Sequence, residues 1–188
     1  ITRSFTQFSQ IPPSDGLIVL NYDDVHLKNL IPKINSHVLT FGHDENSDFY
    51  ASDIVFNSNG FPGFNVIHKN KSLCHIQLEV PGNHNISNSL AAFACSYYLQ
   101  VPVSTIKQSL ENYKGTHRRF DVKGFTENNI KIVDDYAHHP TEIKATLGAA
   151  KNLSYNKLWC IFQPHTYTRT KHLFNEFANS FADADKII

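Results

Sequence analysis

The chain has 188 residues, of which 41% are hydrophobic and 12% are aromatic, so it can supply the core of one or two domains. Its 17 Lys and Arg residues balance its 17 Asp and Glu residues. This neutral balance gives no general electrostatic case for a nucleic-acid partner or for an anionic membrane.

The first 80 residues predict a series of short strands. Apolar runs at 16–20 and 38–41 predict two of them, with a short helix over 25–34 between them. Three further strands, separated by Asn-, Gly- and Lys-containing turns, are expected over 53–56, 63–68 and 74–80. These last three fit a small antiparallel meander.

Two helices are expected next. Pro81 and Gly82 break the chain, and apolar residues at helical spacing predict a helix over 83–99. A second helix is expected over 106–113, because Thr105 and Gln108 have the spacing of a capping box. The polar and basic stretch that follows is interpreted as a domain boundary.

Strands and helices alternate in the last third of the chain. The expected order is strand 130–133, helix 142–153, strand 158–162, helix 166–182 and a strand from 186. Such alternation predicts right-handed βαβ units and a parallel sheet, with ligands at the carboxyl ends of the strands.

Residues 134–142, Asp-Asp-Tyr-Ala-His-His-Pro-Thr-Glu, form the most informative strand-to-helix turn. A turn that only reverses the chain needs Gly, Asn or Pro rather than two carboxylates, a phenol and two imidazoles. Pro140 and Glu142 are explained by the helix start alone. The remaining polar residues predict chemistry at this edge of the sheet.

A second strand-to-helix turn, residues 163–170, carries His165 and Arg169. A strand, a crossover helix and a parallel strand place both turns on one sheet edge, so His138 and His165 are expected near each other. Arg169 adds a cation that can hold a carboxylate at two points. A capped helix with a solvated Arg is the structural alternative.

Two more polar clusters are candidates for binding. Residues 81–88 bring three Asn residues and His84 to a helix start, where they act either as caps or as contacts to a purine edge. Residues 115–120 carry the adjacent Arg118 and Arg119 at the expected domain junction. One of these arginines can neutralise phosphate charge, although adjacent arginines are usually a solvated face.

Several catalytic classes are excluded. There are 11 His residues but no HExxH motif, and no GxSxG or GxxxxGK[ST] motif occurs in the chain. Cys74, Cys95 and Cys160 have no metal-site or disulfide spacing, which indicates a reducing, cytoplasmic setting. No apolar run approaches the roughly 20 residues that span a bilayer.

The ends of the chain predict a piece of a longer protein. The chain begins at Ile1 and contains no Met, and residues 186–188 predict the beginning of a strand. A divided domain exposes apolar surface and open strand edges. We therefore expect the isolated chain to associate with itself, which light scattering would detect.

Four segments together resemble the Mur ligases of peptidoglycan synthesis: PGNHNISNSLAA at 81–92, GTHRRFDVKG at 115–124, DDYAHHPTEI at 134–143 and FQPHTYTRT at 162–170. The resemblance covers nearly the whole chain. The third segment alone also fits the muropeptide-recycling member of the family. The fourth favours the member that joins L-alanine to UDP-N-acetylmuramate. A non-catalytic nucleotide-binding scaffold of the same fold is the alternative from another functional class.

The resemblance implies an α/β fold in two parts. Residues 1–115 would be the rear part of a central ATPase domain that includes the small antiparallel meander. Residues 116–188 would begin a Rossmann-like, parallel-sheet C-terminal domain. The phosphate-binding loop and most ligands of Mg²⁺ would lie outside the chain, so the chain alone is expected to be inactive.

The implied reaction is ATP-dependent amide formation. ATP would phosphorylate the carboxylate of UDP-N-acetylmuramate, because a carboxylate is a poor electrophile until it is activated. The amine of L-alanine would then attack the acyl phosphate. In the nucleotide site, His84 and Asn88 would contact the adenine and Asp135 the ribose hydroxyls. Arg119 would meet the ATP phosphates and take part in catalysis.

The same resemblance implies a site for the incoming amino acid. Tyr136, His138, His165 and Arg169 would surround L-alanine and the reacting carboxyl, with His138 and His165 also catalytic. Many family members have Arg where this chain has Thr166. Arg169 is therefore the expected carboxylate clamp.

Overall fold

The computed structural model describes residues 2–188, which form two compact units. The first unit holds the chain as far as Val55, then Gly63–Gln77 and His84–Asn112. The second holds Phe56–Pro62, Leu78–Asn83 and Tyr113–Ile188. No helix over residues 2–188 is long and apolar enough to cross a membrane. The assignment of 1–115 and 116–188 as domains stays a prediction.

The first unit is built on a five-stranded mixed sheet in the order β1-β2-β3-β4-β5. The strands are β1 Leu17–Asn21, β2 His37–Gly42, β3 Phe49–Phe56, β4 Pro62–His68 and β5 Lys71–Gln77. The strands β1, β2 and β3 run parallel, whereas β4 and β5 pair antiparallel. The strands of the predicted meander therefore continue the parallel strands within one sheet, which confirms an α/β fold.

The helices of the first unit are α1 Thr2–Phe8, α2 Val25–Lys28, α3 Asn83–Tyr98 and α4 Val103–Glu111. The predicted helix 25–34 ends early and is followed by a 3₁₀ turn, Ile31–Lys33. Pro32 lacks the N–H that a continuing helix needs at that point.

The predicted capping box at Thr105 and Gln108 is wrong. Helix α4 begins at Val103, and Pro102 occupies the N-cap position without a side-chain hydrogen bond. Thr105 consequently lies inside the first turn of the helix. The φ of −56° at Pro102 already suits entry into a helix.

The core of the first unit lies between α3 and the sheet. It is formed by fully buried apolar side chains: Phe49, Phe64, Val66, Ile76, Ile86, Leu90 and Phe93. The Phe49 ring stacks on the His68 ring with centroids 4.3 Å apart, and the Tyr97 ring meets Phe49 edge-on at 5.5 Å. The apolar face predicted for 83–99 is therefore the face that packs on the strands.

The second unit contains two small sheets and three helices. Its elements are β6 Asp121–Phe125, β7 Lys131–Asp134, α5 Pro140–Lys151, β8 Trp159–Cys160, α6 Tyr167–His172, α7 Phe174–Ala178 and β9 Lys186–Ile187. The strands β8 and β9 pair parallel, as the βαβ pattern predicted. Helix 166–182 was predicted as one element but divides at Leu173, whose backbone leaves the helical region.

The strand β7 differs from its prediction. Within residues 2–188, β7 pairs antiparallel with β6 in a hairpin. It does not pair with β8, so β7 and β8 belong to separate sheets. Sequence reasoning did not identify β6, because its polar and basic residues resemble a linker. The α5 residues Ile143 and Leu147 pack with Phe177, next to β8, and form the core of this unit.

The substitution Val66→Ala in β4 should lower the free energy of unfolding by about 2 kcal/mol, because two buried methyl groups are removed and a cavity remains. Val66 is 0% exposed. Urea denaturation of the chain measures the change.

The control is Val55→Ala in β3, the same substitution at a residue that is 67% exposed. Its expected cost is below about 0.5 kcal/mol. Equal losses for the two variants would contradict the burial pattern of this sheet.

Candidate active site

The turn between β7 and α5, residues 134–142, is here called the first loop. It enters α5 through His139, whose Nδ1 accepts a hydrogen bond from the Thr141 N–H at 3.3 Å, and Pro140 follows at the first helical position. Glu142 Oε2 accepts the His138 N–H at 3.0 Å. These contacts confirm the structural roles of Pro140 and Glu142 at the helix start and add His139 as its cap.

The first loop is hydrogen-bonded to residues 116–121, here called the arginine turn. The carboxylate of Asp135 accepts the Phe120 N–H at 2.8 Å through Oδ2 and the Ala137 N–H at 2.7 Å through Oδ1. A carboxylate has about four acceptor positions. The contact predicted between Asp135 and a ribose would therefore use the positions that remain.

Arg119 projects from the arginine turn with about half of its side chain exposed. Its Nη1 lies 3.5 Å from Glu142 Oε1, so the turn and α5 share an ion pair. Arg119 also lines an open cleft of about 770 Å³ in the second unit. Two further cationic residues, Lys114 and Lys131, line the same cleft together with His117.

Glu142 is held ionised by its neighbours. Partial burial raises the pKa of its carboxyl, but the hydrogen bond from the His138 N–H and the nearby charge of Arg119 outweigh burial, so the pKa of Glu142 is lowered from 4.5. The carboxylate thus joins two residues predicted to act in the reaction, Arg119 and His138.

His138 has a defined arrangement of its two ring nitrogens. Its Nδ1 lies 2.8 Å from the Tyr136 carbonyl oxygen. A carbonyl can only accept, so Nδ1 carries the proton and Nε2 carries the lone pair in the neutral ring. The Tyr136 ring meets the His138 ring edge-on, with centroids 4.9 Å apart. The geometry leaves Nε2 as the nitrogen able to take up a proton.

The turn between β8 and α6, residues 163–170, is here called the second loop. Arg169 in α6 is half-buried and donates from Nη1 to the His138 carbonyl oxygen at 3.4 Å. The two loops therefore meet at Arg169 and His138. The shared sheet edge expected to bring them together is wrong, because β7 and β8 belong to separate sheets. The approach of His138 to His165 stays a prediction. His165 is exposed ahead of the helix.

Thr166 begins α6 without a side-chain capping bond. Its Oγ1 is buried and has no hydrogen-bond partner among residues 2–188. A buried hydroxyl without a partner is costly in most proteins.

The predicted adenine contacts belong to the first unit. His84 and Asn88 are both exposed and lie one helical turn apart at the start of α3. Asn88 Nδ2 donates to Asn85 Oδ1 at 3.2 Å. An imidazole and an amide at this spacing present donors and acceptors on one face of the helix.

The structure assigns partners to Arg118 and Asp134, which the sequence marked only as members of two polar clusters. Arg118 and Asp134 approach each other, with Nε and Oδ2 3.8 Å apart, and Arg118 also lies over the Tyr136 ring. The sequence could not indicate that these two residues meet. No spacing rule connects positions 16 residues apart across a hairpin with a bulge.

The variant Glu142→Gln should be less stable than the parent chain at pH 7 by about 1 kcal/mol, a typical value for a helix-start hydrogen bond. Because the folded pKa of Glu142 lies below 4.5, its contribution is present above that pH and is lost as the pH falls through the folded pKa. The difference between parent and variant should shrink below pH 4.5, as urea denaturation at several pH values would measure.

The matched control is Glu176→Gln, an exposed Glu in the first turn of α7. It should show no comparable pH-dependent difference. A Glu142→Gln variant whose stability deficit is constant from pH 7 to pH 3 would contradict the proposed contribution.

Comparison with known proteins connects these loops to one family. Residues 1–96 match the family model described as Mur ligase middle domain, and residues 118–188 match Mur ligase, glutamate ligase domain. A UDP-N-acetylmuramate–L-alanine ligase of Acetivibrio thermocellus is 49% identical over 100% of this chain and 40% of its own length. The chain thus spans about 40% of the length of the curated relatives that it matches.

Solved structures give the same result. UDP-N-acetylmuramate-alanine ligase MurC from Thermotoga maritima superposes with a TM-score of 0.74 at 29% identity, over 91% of this chain and 36% of that one. A murein peptide ligase from Psychrobacter arcticus has a TM-score of 0.70 at 29% identity, over 99% of this chain and 39% of that one. The middle-domain match alone covers more than half of the sequence. The chain therefore belongs to the Mur ligase family.

Proposed function

We propose that this chain is part of an ATP-dependent ligase that joins L-alanine to UDP-N-acetylmuramate in peptidoglycan synthesis. The observation that carries the proposal is the 49% identity, over the whole chain, to a relative of that name. The phosphate-binding loop of the parent protein would lie outside these 188 residues. The chain by itself would be inactive.

The proposed reaction has two steps. The γ-phosphoryl group of ATP moves to a carboxylate oxygen of UDP-N-acetylmuramate, and ADP leaves. The nitrogen of L-alanine then attacks the carbonyl carbon, the bond to the phosphate oxygen breaks, and a base takes the proton of the amine. Three anionic groups meet in this reaction: the ATP phosphates, the carboxylate of UDP-N-acetylmuramate and the carboxylate of L-alanine. Cations and oriented hydrogen-bond donors therefore supply much of the catalysis.

Arg119 is proposed to neutralise phosphate charge during the first step. Its side chain is half-exposed, and its ion pair with Glu142 is long, at 3.5 Å. Such a weak pair can be replaced by a contact to phosphate. Asp135, close by in the first loop, is proposed to accept from the ribose hydroxyls. In the first unit, the exposed His84 and Asn88 are proposed to meet the edge of the adenine.

His138 and Arg169 are proposed to act in the second step. The lone pair on His138 Nε2 suits a base that accepts the proton of the attacking amine. The guanidinium of Arg169, held at the His138 carbonyl, suits the carboxylate of L-alanine. Tyr136 and the exposed His165 would complete the surroundings of the amino acid.

The ligands of Mg²⁺ are proposed to lie mainly in the rest of the parent protein. Mg²⁺ is commonly bound by one or two carboxylates together with substrate phosphates. Residues 2–188 hold no group of three or more His, Cys, Asp or Glu residues positioned to bind a metal ion.

The amino-acid substrate is tested with the full-length parent protein. Phosphate release from ATP should require both UDP-N-acetylmuramate and L-alanine. The murein peptide ligase similarity makes recycling of a muropeptide the second candidate. Release that depends on a murein peptide and not on L-alanine would support this second candidate. A parent protein that binds ATP but releases no phosphate with either substrate would support a non-catalytic scaffold.

Arg169→Ala in the parent protein should raise the KM for L-alanine by at least about tenfold, equivalent to about 1.4 kcal/mol, because the carboxylate loses a two-point contact. Arg169→Lys should recover only part of the affinity, since an ammonium group is not a planar fork. Steady-state kinetics with L-alanine as the varied substrate measure both effects.

The control is Lys171→Ala, which removes an exposed cation from the same helix, α6. It should leave the L-alanine dependence unchanged. If Arg169→Ala behaved like Lys171→Ala, the assignment of Arg169 as the carboxylate clamp would be wrong.

A further inference from the structure

Arg118 makes three contacts with the first loop. The carbon at the centre of its guanidinium lies 4.4 Å from the centroid of the Tyr136 ring. Its Nε lies 3.8 Å from Asp134 Oδ2, and its carbonyl oxygen accepts the Tyr136 N–H at 2.9 Å. Side chain and backbone of Arg118 thus act on the same residue, Tyr136.

None of these contacts is strong by itself. The side chain of Arg118 is 52% exposed, and a cation over an aromatic ring or an ion pair at such a site stabilises a fold only modestly. Together they restrict the Tyr136 ring from one face while the backbone bond holds its main chain. Their combined effect is therefore to orient Tyr136 rather than to stabilise the fold.

The backbone of the arginine turn is strained at this point. Arg118 has a φ of 58° and Phe120 a φ of 48°, both in the left-handed region that L-residues with long side chains rarely adopt. Asp121 accepts the Arg118 N–H at 3.1 Å, and Asp135 accepts the Phe120 N–H. Strain maintained by such bonds is common at functional sites.

Tyr136 in turn determines the surroundings of His138. Its carbonyl oxygen accepts from His138 Nδ1, and its ring meets the His138 ring edge-on. A displaced Tyr136 would release the His138 ring and the position of its Nε2 lone pair. The contacts form a continuous sequence from Arg118 through Tyr136 to His138.

We propose that Arg118 is a positioning residue that holds Tyr136, and through it His138, in the geometry that receives the incoming amino acid. The inference rests on the proposed function. It assigns Arg118 a role different from that of the adjacent Arg119, which faces Glu142.

Kinetics of the full-length parent protein test the substrate effect. Arg118→Ala should raise the KM for L-alanine about fivefold or more, with less than a twofold change in the KM for ATP. Arg118→Lys keeps the charge near Asp134 but loses the planar group over the ring, so it should restore only part of the loss. The control Arg3→Ala removes an exposed cation from α1 and should change neither constant.

A double-mutant cycle distinguishes action through Tyr136 from direct contact with substrate. In a Tyr136→Leu background, Arg118→Ala should cause little further change in the KM for L-alanine. Additive losses would overturn the proposal, because Arg118 would then act without Tyr136. An unchanged KM for L-alanine in Arg118→Ala alone would overturn it as well.

A spectroscopic measurement separates this inference from the proposed function. The ring protons of His138 lie beside the Tyr136 ring, so Arg118→Ala in the parent protein should move their NMR resonances, assigned with His138→Gln. The resonances of His68, which stacks on Phe49 in the first unit, should stay in place. If the parent protein does not use L-alanine, the proposed function fails and this shift still tests the link. Unmoved His138 resonances in a folded Arg118→Ala protein would overturn the link.

Discussion

The carboxylate of Asp135 is the interaction on which the candidate site depends. It accepts one backbone N–H from the arginine turn and one from its own loop, at 2.8 and 2.7 Å. The two segments flank the β6–β7 hairpin, in which Asp121 pairs with Asp134. The Asp135 bonds and the bond from the Tyr136 N–H to the Arg118 carbonyl oxygen then fix how the segments meet beyond the strands. The apolar residues of α5 anchor the helix that follows the first loop. Asp135 joins the first loop to the arginine turn.

At this junction, two adjacent arginines pair with different carboxylates. Arg118 is directed to Asp134 and Tyr136, and Arg119 to Glu142, so each cation has a carboxylate nearby. The same carboxylate of Glu142 also accepts the His138 N–H. Arg169 then joins the second loop through the His138 carbonyl. His138 is therefore bonded both to the start of α5 and to the second loop.

Much of the fold was predictable because its signals are local. Apolar periodicity identified α3 and α5, and Pro and Gly positions indicated where these elements begin. Predictions failed both where contacts distant in sequence determine the structure and where two local signals compete. The strand β6 is too polar to be recognised without its partner β7, and the helix predicted over 166–182 divides at Leu173. The capping box at Thr105 fitted the sequence pattern, but Pro102 starts the helix earlier. In the site, the loops were predictable from residue types. The roles given to all eight site residues stay predictions: His84, Asn88, Arg119, Asp135, Tyr136, His138, His165 and Arg169.

The sequence by itself determined the α/β class, the two strand-to-helix loops and the family, because these follow from periodicity, turn chemistry and motif order along one chain. Only the tertiary structure decided which charges meet. Arg118 and Asp134 are separated by 16 positions and a bulged hairpin, and a one-residue change of register would turn these side chains to the other face. The pairing of the two adjacent arginines with different partners, and the nitrogen of His138 that carries the lone pair, likewise depend on distances that no sequence spacing contains.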